Sequence, residues 1–167
     1  MAEMNELVGP LSRDMSVAEL LKAEIFNIRD VKEKDVLLLK EAFNIKNIED
    51  LADLKFVAWA QNFQKIEKSG KSVDTSQFEN QLIKAYEKLS IKEILQSPVF
   101  ALQGLSENDA RLLKIAFNVE TVLDLACSPP ILKAQEIVAR HRKKNRSLLY
   151  IGIIIFAVAM VLAVSFL

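Results

Sequence analysis

The sequence predicts an all-α chain: two tandem copies of one unit of short helices, followed by a single C-terminal transmembrane helix. Three observations carry this. The chain aligns with itself at an offset of 74 residues, Ser16–Gln64 on Ser90–Val138, without a gap and with 17 of 49 positions identical. No stretch sustains the period-two alternation of a half-buried strand. The last 21 residues, Ser147–Leu167, carry no charge. At about 1.5 Å per helical residue they span about 31 Å, the thickness of the hydrocarbon core of a bilayer.

Each copy is punctuated in the same way. Ser16-Val17-Ala18-Glu19 and Ser90-Ile91-Lys92-Glu93 are capping boxes, so each copy opens with a short helix that runs to Phe26 or Phe100. A turn follows at Arg29-Asp30 and at Gln103-Gly104. A second helix runs from Glu33 to Phe43 and from Glu107 to Phe117, where Asn44 and Asn118 suit a left-handed C-terminal cap. A third begins at Asn47 or Thr121, whose side chains cap it, with Asp50 or Asp124 at the third helical position. The fourth begins near Lys55 in copy one and at Pro129-Pro130 in copy two, since proline suits a first helical turn. Leu38, Leu39, Ala42, Phe43, Ile48, Leu51 and Ala52, with their counterparts, are the expected core, and Phe43 and Phe117 are both expected to be buried. Some 50 residues make a marginal core alone, so the copies are expected to pack together.

The resulting organisation is a flexible N-terminus at 1–15, a first repeat at 16–64 and a linker at 65–89 that carries one helix. In that helix Phe78, Leu82, Ile83 and Tyr86 share a side. A second repeat at 90–138, a basic segment at 139–146 and the span at 147–167 complete it.

The chain has 22 basic and 22 acidic residues, but the balance is uneven. Arg140, Arg142, Lys143, Lys144 and Arg146 are the last charges before the apolar run, and residues 1–139 keep a net charge of about −5. A basic flank on the N-terminal side of a span places the preceding domain in the cytoplasm. Residues 1–16 have an early Glu and no apolar core, so no signal peptide is read there. The expectation is a tail-anchored, single-pass membrane protein. Within the span, Gly152, Ala159 and Ala163 form a stripe of small residues suited to helix association and so to a homo-oligomer. The single Cys127 has no internal disulfide partner and is expected to fill space in the core.

The unit of short helix, turn, helix, and then Asn-[Ile/Val]-x-[Asn/Thr]-[Ile/Val]-x-Asp-Leu-Ala resembles the helix-hairpin-helix superfamily, over residues 16–64 and 90–138. DNA-binding members of that superfamily use a hairpin with two glycines, because glycine lets backbone N–H groups approach a phosphate. Copy two reads Leu102-Gln103-Gly104-Leu105-Ser106, which makes Gly104 and Ser106 the candidate DNA hairpin. Copy one reads Ile28-Arg29-Asp30-Val31-Lys32 and has neither glycine. Residues 90–139 carry four basic and six acidic groups, so the cationic contacts that dominate affinity for nucleic acid are lacking.

No H-E-x-x-H, C-x-x-C, phosphate-binding loop or G-x-S-x-G motif occurs, and there is one His and one Cys. No catalytic residue, metal or cofactor is therefore expected. The sequence reads as a non-enzymatic adaptor that recruits a cytoplasmic protein partner to the membrane. A membrane tether for DNA and an accessory subunit of a membrane complex are the alternatives.

Overall fold

A computed structural model describes residues 3–165, with side chains through residue 147 and at Leu149. Helices α1 (Met4–Leu7), α2 (Val17–Lys22), α3 (Glu33–Phe43), α4 (Ile48–Ala52) and α5 (Lys55–Ser69) make the first half. Helices α6 (Ile91–Gln96), α7 (Glu107–Phe117), α8 (Val122–Cys127) and α9 (Pro129–Ser165) make the second. Four helices of each half correspond at the offset of 74: α2 with α6, α3 with α7, α4 with α8, and α5 with the start of α9.

The caps explain where these helices begin and end. Ser16 and Ser90 each accept a hydrogen bond from the third helical N–H, and Glu19 and Glu93 each accept one from the backbone N–H of the cap. Asn47 and Thr121 do the same work for α4 and α8. Asn44 (φ 53°) and Asn118 (φ 54°) stop α3 and α7 in the left-handed region, which Asn tolerates better than most residues. The first helix of each copy is shorter than expected. It ends at Lys22 or Gln96, and a separate 3₁₀ turn covers Ile25–Asn27 or Val99–Ala101.

The two copies interlock. The fourth helix of each packs on the first and third helices of the other: α5 against α6 and α8, α9 against α2 and α4. The second helices, α3 and α7, pack on each other. Contacts that recur in both directions under one offset describe a pseudo-two-fold unit, the arrangement of an isologous dimer joined into one chain. One continuous core results, with Leu20, Ile48, Leu51, Phe63, Ile94, Val122, Ile131 and Ile137 almost wholly buried. Neither copy closes a core on its own helices, because its fourth helix lies on the other.

The symmetry starts earlier in each copy than side-chain identity shows. Val8 bridges Ile28 and Leu82 bridges Leu102, again at the offset of 74. Arg29 N donates to Leu7 O at 2.9 Å, as Gln103 N does to Gln81 O at 2.8 Å. Two expectations are corrected by this. The segment 1–15 is not a flexible tail through its described part: Leu7, Val8 and Ser12 are buried. The stretch 76–89 is not a helix. Only Thr75–Phe78 forms a 3₁₀ turn, and the main chain at Leu82 is committed to its bridge instead of to a helical ladder. Phe43 and Phe117 are half-buried rather than buried, because both lie at helix ends on the rim of the core. Cys127 is exposed at the C-terminal end of α8 and fills no core space.

The expected C-terminal transmembrane helix is also corrected, and with it the tail anchor and the membrane localisation. Among the described residues, no helix is long and apolar enough to cross a membrane. The apolar run does not begin a helix of its own. It belongs to α9, a 37-residue element that starts at Pro129 inside the domain, and Ile131, Ala134, Ile137 and Val138 of its first turns are core. An apolar window read from composition does not register that its helix is anchored at one end as a packing element. Gly152, Ala159 and Ala163 lie outside the residues whose side chains are described, and so does the helix association expected of them.

Candidate functional site

The two hairpins superpose in sequence and in backbone, with Asp30 (φ 72°) and Gly104 (φ 95°) at the same left-handed position. Each feeds a helix whose cap N–H is held by a carboxylate three residues on. Ser106 N donates to Asp109 Oδ2 at 2.9 Å, and Asp109 N donates to Ser106 Oγ at 3.1 Å. In copy one Lys32 N donates to Asp35 Oδ2 at 3.0 Å. A carboxylate thus stands where a phosphate would approach, in both copies. Each hairpin also faces the fourth helix of the other copy. Lys133 Nζ donates to Asp30 Oδ2 at 2.7 Å and to Arg29 O at 3.0 Å, while Gly104 lies beside Lys55 and Phe56. The hydrogen bond from Lys133 holds the Asp30 carboxyl below its ordinary range, against a smaller effect of burial. Gly104 and Ser106, the candidate DNA hairpin, are exposed, and the Ser106 N–H is held by the Asp109 carboxylate.

The basic segment divides. Arg140 pairs with Glu136 one turn earlier on α9 at 2.6 Å. Arg142 reaches out of its own copy to Asp53, after α4, at 2.7 Å. Arg142, Lys143 and Arg146 line one groove of about 570 Å³ between the end of α4 and α9, whose walls include Ala52, Val138 and Ala139. Lys144 is exposed and outside it. The sequence brought these cations to attention, but not Asp53, which only the helix exchange places opposite them.

An apolar strip on copy one was not anticipated. Leu37 on α3 is 69% exposed and lines a shallow cavity of about 240 Å³ with Phe26 and Val36. Phe26 also lines the adjoining cavity of about 390 Å³, together with Pro10 and Ile28. Leu11, next to Pro10, is 93% exposed. Copy two has no such strip, because Arg111 stands in place of Leu37 and Ala85 in place of Leu11. Phe26 and its counterpart Phe100 are both half-buried, but Phe100 meets Tyr86 edge-on with ring centroids 6.5 Å apart, whereas copy one has Ser12 at that position. The signal available in the sequence was this divergence between copies, not their likeness.

The titratable groups displaced from their ordinary values serve the fold. Glu19 and Glu93 are lowered by hydrogen bonds from their caps Ser16 and Ser90, and Asp74 by the Ser76 N–H. Glu49 is lowered and Lys22 raised by their mutual hydrogen bond. Cys127 Sγ accepts a hydrogen bond from Gln64, and His141 lies 2.8 Å from Asn145. Among the described residues, no group of three His, Cys, Asp or Glu side chains is placed to hold a metal ion. No family model, curated protein or solved structure matches the chain.

Proposed function

We propose that this chain is a non-enzymatic adaptor whose interlocked repeats form a rigid platform for a protein partner. The observation that carries the reading is the open apolar strip of Leu11, Phe26 and Leu37, present in one copy and filled or replaced in the other. Large apolar side chains left exposed next to shallow cavities suit a protein contact, and a platform with a single continuous core presents them at little cost in ordering.

The test is affinity capture by the full chain and by its Leu37→Glu variant, compared by quantitative mass spectrometry. Leu37 is exposed, so the substitution leaves the core intact. The adaptor reading expects a small set of proteins that the variant no longer retains. Identical profiles for the two proteins contradict it. Attachment to duplex DNA is the weaker reading, since both hairpins present carboxylates; retention on DNA at moderate salt would reverse that ranking.

A further inference from the structure

We infer that the groove between α4 and α9 receives an acidic segment of the protein partner. The inference rests on the adaptor reading and names the chemistry of one contact. The charge of the groove reflects a difference between the two copies at one helix end. In copy one the fourth helix stops at Ser69, where Gly70 takes the left-handed cap (φ 63°). The counterpart of Gly70 is Lys144, and α9 continues past it. The extra turns carry Arg146 over the end of α4, and Lys143 stands where copy one has Ser69, the last residue of α5.

The charges of the groove do not cancel. Arg142 is matched by Asp53, which orders its guanidinium and leaves other N–H groups of the fork available. Lys143 and Arg146 have no ion-pair partner among the described residues, so the lining has a net charge of about +2. Residues 1–139 carry about −5, which makes the groove a positive island on an acidic domain and the place to which a carboxylate-bearing segment is drawn. Nucleic acid is repelled by the same domain. The cations are spread along a helical turn and lie next to the apolar walls of Ala52, Val138 and Ala139. That layout fits an extended chain with both carboxylates and apolar side chains better than one compact anion.

The probe is a fluorescein-labelled peptide of alternating Glu and Leu, titrated with the full chain at low ionic strength and followed by anisotropy. The same peptide with Gln for Glu is the control. The Glu peptide is expected to bind and the Gln peptide to bind at least about tenfold more weakly. Lys143→Gln with Arg146→Gln is expected to weaken the Glu peptide by about tenfold or more, while the charge-matched pair Lys71→Gln with Lys92→Gln stays within about twofold of the parent. Equal binding of the two peptides, an unchanged affinity in the groove variant, or an equal loss in the control pair overturns the inference. So does inorganic pyrophosphate binding as tightly as the peptide, which makes the site one for a small anion. The two proposals fail separately. If Leu37→Glu loses partners from the capture profile and the groove variant loses none, the adaptor reading stands and the acidic segment falls.

Discussion

Gln61 and Gln135, each the other's counterpart at the offset of 74, exchange hydrogen bonds through their side-chain amides. Gln61 Nε2 donates to Gln135 Oε1 at 2.8 Å, and Gln135 Nε2 donates back to Gln61 Oε1 at 3.2 Å. A residue can pair reciprocally with its own image only on or near a two-fold axis, so this pair marks the pseudo-axis of the domain. It also joins α5 to α9, the two helices that the copies exchange.

The first prediction follows from that pair. Gln61→Ala leaves the amide of Gln135 half-buried without its main partner and costs about 1 kcal/mol, as does Gln135→Ala. Gln61→Leu together with Gln135→Leu costs less than the sum of the single Leu changes, because each single change leaves one amide unpaired and the double change leaves none. Urea denaturation of the four proteins measures the coupling; strict additivity shows that the amides do not share a bond.

A second prediction separates the aromatic residues. Phe63 is fully buried and meets Phe78 edge-on at 5.0 Å between ring centroids. Phe63→Ala should cost about 3–5 kcal/mol, a large part of the stability of a small domain. Phe43 is half-buried and rests on Phe56 at 6.1 Å, so Phe43→Ala costs distinctly less. Thermal denaturation ranks the two, and the reverse order misplaces the core.

The third concerns Asp30, which holds a left-handed backbone (φ 72°) that glycine adopts freely at Gly104. Its carboxylate is 74% exposed, so the ion pair with Lys133 adds little. Asp30→Gly and Asp30→Ala both lose the pair, but alanine keeps the strain. The glycine variant is expected to be the more stable of the two by about 1 kcal/mol. Equal melting temperatures contradict this.

The fourth is a pH dependence. Glu19, Asp30, Glu49 and Glu93 are all held below their ordinary values of 4.5, 3.8, 4.5 and 4.5 in the fold. A depressed carboxyl stabilises the folded state above its unfolded pKa, and this is lost as pH falls through the folded value. Stability is therefore expected to hold down to about pH 5 and to decline below it. Ser16→Ala with Ser90→Ala removes the cap hydroxyls, the larger cause of the lowering at Glu19 and Glu93, while the backbone N–H bonds to the carboxylates remain, and should shallow the decline. Melting temperatures measured from pH 7 to pH 3 decide the matter, and an unaltered slope in the variant assigns it to other groups.

The local structure was legible because it is written in side chains that act on their own neighbours. Ser16, Ser90, Asn44, Asn118, Asn47 and Thr121 cap helices through atoms three or four residues away, and the repeat displays each cap twice. The exchange of α5 and α9 was not legible. The buried stripe of Ile131, Ala134, Ile137 and Val138 is equally suited to α6 and α8 of its own copy or to α2 and α4 of the other. The bridges Val8–Ile28 and Leu82–Leu102 were hidden for another reason. They are made by main-chain groups, which leave no mark on residue identity. In the stretch 76–89 the spacing of Phe78 and Leu82 fits one face of a helix, and turns deliver both side chains to the core instead. At the C-terminus the apolar composition carries no mark of where its helix begins, which is at Pro129, inside the domain.

The exchange of fourth helices is the central structural claim, and methyl nuclear Overhauser contacts in the full chain test it most directly. Ile131, Ile137 and Val138 of α9 are predicted to show their inter-helix contacts mainly to Leu20 and Leu21 of α2 and Leu51 of α4. Contacts mainly to Ile94 and Leu95 of α6 and Leu125 of α8 would place each fourth helix on its own copy and contradict the interlocked fold.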